Sequence, residues 1–320
     1  MKVIAPDHII DNPIEVPASK SMSNRLLIIK SLSGSGEVNG LSEAQDTQVL
    51  NSLLEKMPSV MDVGHAGTAF RFLTAYLSIQ SGTFILTGSE RMKQRPIHVL
   101  VDALKKLGAD IVYLEREGFP PLQITGSSFV GGVIEINARV SSQFISALMM
   151  IGPYLEKGLE ILLTNKPVSK PYIDMTAQLM KACGVDVVQI KNKIIIPNST
   201  YTLSNLTIEK DWSSIAFWCE LVVVGKMPNL LINDVVSHSI QGDRVVLDMY
   251  RPLGLASYFD EKGLYLQFDA SEVIQINESI DFTDCPDLSQ PYVTTLAGVS
   301  KSQDITGTVT LKDKETDRGL

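Results

Sequence analysis

The pattern of this chain is set by one stretch, Val99-Leu100-Val101-Asp102-Ala103-Leu104-Lys105-Lys106-Leu107-Gly108 followed by Ala109-Asp110-Ile111-Val112-Tyr113-Leu114. Its apolar residues recur at helical spacing up to Gly108. Glycine readily takes the left-handed conformation that ends a helix, and the residues after it have β-branched and aromatic character. The stretch therefore predicts an amphipathic helix, a glycine cap and a strand.

The same order occurs again further along the chain. Residues 175–184 precede 185–188, and residues 248–254 precede 255–258, each helical segment ending at a glycine. A weaker copy covers residues 49–57. A helix that ends at a glycine before a strand is common, so any two copies could arise by chance. Three copies at similar spacing favour a fold of repeated α/β subdomains.

Composition narrows the class of protein. The 320 residues suffice for two domains. They carry 28 Lys and Arg against 36 Asp and Glu, a net charge of −8, which argues against a general nucleic-acid binder while leaving room for a local basic site. Cys183, Cys219 and Cys285 lack metal-ligand spacing and indicate free thiols in a reducing cytosol. The apolar runs are too short to cross a membrane, and from the first residues we expect no targeting segment.

Cations accompany several predicted helix starts. Lys20, Arg25, Arg71 and Lys170 lie there beside Ser or Thr, and Arg91, Lys93 and Arg95 form a further basic cluster. Ser and Thr are ordinary helix caps, but the helix dipole disfavours cations at this end. Free N–H groups, hydroxyls and cations together suit phosphate and carboxylate groups. The pattern therefore indicates sites for anionic ligands.

These residues resemble the 5-enolpyruvylshikimate-3-phosphate synthase family. Ser19-Lys20-Ser21-Met22-Ser23-Asn24-Arg25 is similar to the N-terminal signature of the family, and Gly64-His65-Ala66-Gly67-Thr68 is similar to its glycine-rich motif. Further similar segments occur in family order at residues 86–97, 141–144, 169–174, 239–243, 284–287 and 314–318. Together they run from residue 16 to residue 318.

The resemblance implies an α/β fold with two domains, each made of three βαβαββ units whose helices are buried around a pseudo-threefold axis as an inside-out α/β barrel. One domain would cover residues 13–209, and the other residues 1–12 plus 210–320. Family members continue well past this point, so the second domain is expected to be truncated. The chain alone is then expected to be inactive or severely impaired.

The family transfers the enolpyruvyl group of phosphoenolpyruvate to the 5-hydroxyl of shikimate 3-phosphate, with release of phosphate and without a metal or organic cofactor. The resemblance assigns shikimate 3-phosphate to Ser21, Arg25, Ser141, Ser142, Ser169, Tyr172, Asp287 and Lys314. It assigns phosphoenolpyruvate to Lys20, Gly67, Arg95, Gln143 and Arg318. Asp287 would accept the proton of the attacking hydroxyl, while Glu315 and Lys20 would transfer protons at the methylene carbon.

The chain departs from the family pattern at the glycine-rich motif, where His65 replaces the usual Asn and Phe72 replaces a frequent Pro. We hypothesise that His65 retunes the binding of phosphoenolpyruvate or of anionic mimics such as glyphosate.

Two alternative functions differ from this one in their sequence requirements. UDP-N-acetylglucosamine enolpyruvyl transferase usually has Lys-Asn where this chain has Lys20-Ser21, and it carries a loop cysteine that is absent here. An inactive fragment that binds only shikimate 3-phosphate is the other alternative. We expect a cytoplasmic monomer whose partners are these small molecules, with neither nucleic acid nor a membrane.

Overall fold

The computed structural model describes residues 13–139 and 141–313, which divide into two compact units. The larger unit contains the described residues among 18–208, 240–242 and 307–313. The smaller unit contains residues 13–17, 209–239 and 243–306. Across the described segments, no helix has both the length and the apolar character needed to cross a membrane.

The larger unit combines buried helices with two four-stranded sheets. Its helices are α1 (Lys20–Ser33), α2 (Gln45–Lys56), α3 (Gly67–Ser78), α4 (His98–Leu107), α5 (Ser142–Ile151) and α6 (Lys170–Ala182). Its strands are β1 (Val38–Asn39), β2 (Val60–Asp62), β3 (Gly82–Thr87), β4 (Asp110–Tyr113), β5 (Leu122–Gly126), β6 (Gly132–Ile136), β7 (Leu159–Leu163), β8 (Val188–Ile190), β9 (Lys193–Ile196) and β10 (Leu206–Thr207).

Both four-stranded sheets have the same topology. The strand orders are β2, β3, β5, β4 and β6, β7, β9, β8, with the first pair parallel and the other two pairs antiparallel. With the helices that follow their first two strands, each sheet completes a βαβαββ unit. The buried residues Ile134, Ile161 and Ile194 pair across the second sheet, so its register follows the apolar face. A short parallel pair of β1 and β10 accompanies α1 and α2.

Helices rather than strands occupy the centre of the larger unit. Helix α5 contacts α1, α3 and α6, and α1 also contacts α3 and α6. Almost every residue of α3 and α5 is buried, as expected of helices that are apolar on all sides. This placement brings the predicted site residues at the starts of several helices into one unit.

The three predicted helix–glycine–strand segments are confirmed. Gly108 and Gly184 have φ values of 112° and 86° after α4 and α6, and each precedes an outer strand of a sheet. Gly254 has φ 102° before a strand of the smaller unit, and a Cβ there would lie 2.5 Å from the Phe268 ring. The weaker copy ends at Met57, whose φ of 42° gives the same left-handed cap without glycine.

The smaller unit has the same alternation of helices and strands. Its helices are α7 (Trp212–Gly225), α8 (Val246–Tyr250) and α9 (Ser289–Gly298), and its strands are β11 (Leu230–Asn233), β12 (Leu255–Phe259), β13 (Gly263–Phe268), β14 (Ser279–Asp281) and β15 (Asp304–Thr306). Ile14 bridges in parallel to Ile232 of β11, and β13 is antiparallel to both β11 and β12. Tyr250 packs edge-on against Tyr292 in the core. The repeated order supports the predicted fold class.

Candidate active site

Arg25 is the most deeply buried cation of the larger unit among its described residues, with 1% of its surface exposed. Its Nε donates to Thr176 Oγ1 at 2.7 Å, and its Nη2 donates to Ser146 Oγ at 3.2 Å and to the Tyr172 carbonyl at 3.3 Å. Nη1 donates to the Ser21 carbonyl one turn earlier in α1, at 2.8 Å. These bonds join α1 to α5 and α6 through one guanidinium.

Aromatic rings complete the surroundings of this group. The Arg25 guanidinium lies 5.4 Å from the Phe72 ring centre and 5.8 Å from that of Tyr172. Burial lowers the pKa of Arg25 to about 10, so the side chain is charged at neutral pH. Among the described residues no carboxylate forms an ion pair with it. A buried positive charge with only neutral protein partners suits an anionic ligand.

The start of α1 carries the predicted residue Lys20 directly after the helix cap Ser19. The Ser19 hydroxyl caps the helix by accepting from the Met22 N–H at 3.5 Å, a long contact. The Lys20 ammonium lies 3.9 Å from Asp46 and keeps 42% of its side-chain surface exposed. An ion pair this long and this exposed is weak, so the ammonium remains accessible to a ligand.

Gln143 connects the starts of α3 and α5. Its Oε1 accepts from Arg71 Nη1 at 2.7 Å, and its Nε2 donates to Thr68 Oγ1 at 3.0 Å. The Ser141 hydroxyl caps α5 by accepting from the Gln143 N–H at 3.3 Å. Arg71 also lies over the Phe144 ring at 5.3 Å. The predicted residues Ser141 and Gln143 are thus positioned together, with Arg71 as an added cation.

Gly67 and Arg95 are brought together more tightly than a larger residue would permit. A Cβ on Gly67 would lie 2.2 Å from Arg95 Nη1. Arg95 follows the short 3-10 helix Met92–Gln94 and is only 5% exposed. Gly67 is therefore needed because a buried guanidinium lies directly against its backbone.

The start of α6 carries Ser169 and Tyr172. Ser169 is buried and takes a left-handed φ of 54°, and its side chain makes no capping hydrogen bond. Non-glycine residues seldom adopt this conformation, and they do so chiefly where the surrounding structure holds them. The Tyr172 N–H donates to the Ser169 carbonyl at 3.1 Å, and the Tyr172 carbonyl accepts from Arg25. Ser142, the first residue of α5, is also buried.

Asp287 lies in the smaller unit, in the 3-10 helix Pro286–Leu288, close to a second carboxylate. That carboxylate, Asp243, is 3% exposed, and its Oδ2 accepts from the Ser213 hydroxyl at 2.5 Å. Burial is the main cause that raises the pKa of Asp243 to about 7; the negative charges of Asp287 and Asp211 contribute to this rise, and the hydrogen bond from Ser213 opposes it. The described residues contain no group of His, Cys, Asp and Glu that could hold a metal ion.

Comparison of the sequence with known proteins identifies its family. The family model described as EPSP synthase (3-phosphoshikimate 1-carboxyvinyltransferase) matches residues 48–319. The chain belongs to the EPSP synthase family. A Bacteroides fragilis (strain YCH46) protein named 3-phosphoshikimate 1-carboxyvinyltransferase is 44% identical over 95% of this chain and 74% of its own length. A Sulfurovum protein of the same name is 33% identical over 98% and 80%.

A solved structure supports the fold of this EPSP synthase family member. The EPSP synthase structure from Acinetobacter baumannii superposes with a TM-score of 0.75, covering 96% of this chain and 76% of that chain. Sequence identity in that comparison is 20%, so the likeness concerns the fold. It agrees with the α/β fold of repeated βαβαββ units.

His65, which departs from the family motif, is held by the loop after β3. Its Nδ1 lies 2.9 Å from the Ser89 hydroxyl, and the ring is exposed. One residue, Ala66, separates it from Gly67, which lies against Arg95. The proposed effect of His65 on ligand binding stays a prediction.

Three predicted site residues, Lys314, Glu315 and Arg318, lie outside the described residues. Conversely, Ser146 and Thr176 hold Arg25 but escaped the sequence-based prediction. Each follows a predicted site residue by four positions, Ser142 and Tyr172 respectively, so helical spacing was the signal that could have found them. The burial of Asp243 had no comparable signal, although its motif was recognised.

Proposed function

We propose that this protein transfers the enolpyruvyl group of phosphoenolpyruvate to the 5-hydroxyl of shikimate 3-phosphate and releases phosphate, a step toward chorismate and the aromatic amino acids. The observation that carries the proposal is Arg25, a buried guanidinium whose described partners are neutral, at the end of the family signature in residues 19–25. Family membership supplies the reaction, and the buried cation supplies the affinity for an anion.

Shikimate 3-phosphate carries a carboxylate and a phosphate, and the helix starts around Arg25 suit both groups. We assign it to Ser21, Arg25 and Tyr172 near the guanidinium, and to Ser141, Ser142 and Ser169 as hydroxyl donors. Hydroxyls at helix N-termini add to backbone N–H groups and the helix dipole in holding phosphate oxygens. Lys314 is assigned to the same substrate by the family motif.

Phosphoenolpyruvate is assigned to Lys20, Gly67, Arg95, Gln143 and Arg318. Arg95 lies against the Gly67 backbone, and Gln143 is held by Arg71 and Thr68. A guanidinium presents paired donors that match a carboxylate or phosphate. Fixed side chains hold a substrate in a reactive geometry with little entropy lost on binding.

Catalysis requires a base and an acid. Asp287 is assigned to accept the proton of the attacking 5-hydroxyl, and Lys20 and Glu315 to transfer protons at the methylene carbon. Protonation of that carbon makes the neighbouring carbon electrophilic, so addition of the hydroxyl precedes loss of phosphate. Asp243, whose pKa is raised to about 7, lies near Asp287 and favours a single negative charge on the pair near neutral pH.

We further infer a cytoplasmic, monomeric protein with two domains, predicted from the sequence at residues 13–209 and at residues 1–12 plus 210–320. The two compact units differ from these bounds, because residues 13–17 belong to the smaller unit and residues 240–242 and 307–313 to the larger. Cys183, Cys219 and Cys285 are buried free thiols, which supports a reducing compartment.

The decisive test measures phosphate release by the purified protein. The resemblance alone predicts an inactive or severely impaired chain, but family membership favours activity. We therefore expect release that requires both phosphoenolpyruvate and shikimate 3-phosphate and that falls at least about 100-fold in Asp287→Ala. Calorimetry with shikimate 3-phosphate runs in parallel. Binding without any phosphate release would support the binding-only alternative, and release with UDP-N-acetylglucosamine instead would reassign the substrate.

A further inference from the structure

A cavity of about 460 Å³ opens beside α6 in the larger unit. Its walls come from the end of β7, the loop at residues 164–167, the start of α6 and the turn between β8 and β9. A water molecule occupies roughly 30 Å³ of liquid, so the cavity has room for a ligand of many atoms.

Four lysines line this cavity, namely Lys166, Lys170, Lys191 and Lys193. Lys170 pairs with Asp174 at 2.6 Å, and Lys193 pairs with Glu160 at 2.7 Å. Among the described residues neither Lys166 nor Lys191 has an acidic partner within ion-pair distance. Two of the four positive charges are therefore left without a counter-charge around one concave surface.

The cavity also lies beside the start of α6, whose dipole adds positive potential. Polar side chains of Gln189 and Asn192 belong to its wall, and the Asn192 amide donates to the Leu163 carbonyl at 3.2 Å. Lys191 has a left-handed φ of 55°, which places it in the tight turn between β8 and β9. Lysines, polar side chains and the start of a helix therefore border the same cavity.

Helix α6 separates the cavity from the Arg25 cluster. Lys170 and Ile173 line the cavity, whereas the Tyr172 carbonyl and the Thr176 hydroxyl accept from Arg25. At 100° per residue, Lys170 lies on the side of the helix away from Tyr172 and Thr176, and Ile173 lies between the two sides. The cavity is therefore a second place for an anion, apart from the residues that we assign to shikimate 3-phosphate.

We propose that this lysine-lined cavity binds a small polyphosphorylated anion carrying two or more negative charges. The charge of the cavity wall favours an anion with two negative charges, because two of its lysines have no acidic partner. The volume of the cavity favours a ligand larger than a single phosphate, since one phosphate would leave most of the cavity filled with water. The proposal stands independently of the transferase reaction.

Pyrophosphate is the probe, titrated into isotope-labelled protein at fixed ionic strength while backbone amide shifts are followed by NMR. We expect saturable shifts clustered at residues 164–167 and 189–193. Replacing both uncompensated lysines, in Lys166→Gln/Lys191→Gln, should weaken binding about fivefold, as expected for two exposed charge contacts. The matched control, Lys105→Gln/Lys106→Gln on the exposed side of α4, removes the same charge elsewhere and should leave affinity unchanged.

Three results would overturn the proposal. Shifts confined to residues around Ser21, Arg25 and Tyr172 would place pyrophosphate in the substrate site alone. Equal weakening in both double variants would show general charge attraction, which salt screens at any surface position. Shifts that rise linearly without saturation would exclude a built site. All four substituted lysines are exposed, so unchanged spectra of the free variants confirm that folding is intact.

Discussion

Replacing Arg25 by Met separates ligand binding from stability. The substitution removes a buried charge and four hydrogen bonds while keeping a long apolar side chain. The acceptors that it leaves keep other donors. The Ser146 and Thr176 hydroxyls bond each other at 2.8 Å, and the Thr176 hydroxyl also contacts the Tyr172 carbonyl at 2.8 Å. The Ser21 carbonyl remains inside α1.

The effect on stability is the difference of two similar terms. Four hydrogen bonds contribute about 4 kcal/mol in total at about 1 kcal/mol each. Burial lowers the pKa of Arg25 to about 10, which corresponds to about 3 kcal/mol of destabilisation of the charged form. Below pH 10 the group is charged in the folded and unfolded states alike, so this cost is constant at neutral pH. Above pH 10 the unfolded state binds more protons, and stability rises toward the unfolded pKa.

Arg25→Met is therefore expected to lower the free energy of unfolding by only about 1 kcal/mol at pH 7, measured by urea denaturation. Binding of shikimate 3-phosphate, measured by calorimetry, is expected to weaken about 100-fold, since a buried charged partner of an anion contributes about 2–5 kcal/mol. Arg116→Met, at an exposed arginine whose guanidinium lies 4.0 Å from the Phe119 ring centre, is the matched control. It should leave the Kd for shikimate 3-phosphate unchanged and lower the free energy of unfolding by at most about 1 kcal/mol.

Two outcomes would refute this reasoning. A loss of stability above about 3 kcal/mol would mean that Arg25 is mainly a structural cross-link, as in a broken buried ion pair. An unchanged Kd for shikimate 3-phosphate would remove Arg25 from the substrate site.

Three further variants probe the rest of the site. Gly67→Ala forces Arg95 Nη1 away from a Cβ that would lie 2.2 Å from it, so KM for phosphoenolpyruvate should rise about tenfold, as for the loss of one charged contact. Gln143→Ala removes the 2.7 Å hydrogen bond to Arg71 and should cost about 1–3 kcal/mol in thermal or urea unfolding. In Asp243→Asn the raised pKa of about 7 is lost. Between about pH 4 and 7, Asp243 of the folded wild type keeps its proton while the unfolded chain releases it, so the free energy of unfolding of the wild type falls as pH rises. Asp243→Asn lacks this loss, so its free energy of unfolding should rise by about 2 kcal/mol relative to the wild type between pH 5 and pH 8.

For each of these variants, one result would contradict the expectation. An unchanged KM in Gly67→Ala would show that Arg95 moves without consequence for the substrate. Unaltered unfolding of Gln143→Ala would mean that Arg71 is held by its other contacts. Parallel pH profiles for Asp243→Asn and wild type would show that Asp243 is ionised throughout this range.

Much of the secondary structure could be predicted from short stretches of sequence. The pattern at Gly108, Gly184 and Gly254 predicted where helices end and strands follow, because a helix cap depends on a few neighbouring residues and on the left-handed backbone that glycine permits. The cations at helix starts predicted anion sites from equally local information, because the helix dipole acts over a single turn, and these sites stay a prediction.

Other features lay beyond the sequence pattern. The Arg71–Gln143 bond joins residues 72 positions apart, and the bond from Arg25 to Thr176 spans 151. Nothing local to either partner encodes such a contact, because it depends on how whole helices pack. The deep burial of Asp243 has the same origin.

The sequence by itself determined the family, the repeated helix–strand order and the residue types at the helix starts. Only the tertiary structure decided that Arg25 is enclosed by hydroxyls, carbonyls and rings rather than by carboxylates, and that four lysines surround a cavity on another face of α6. The physical reason is that charge is a property of a residue, whereas its solvation and its partners are properties of the packed fold.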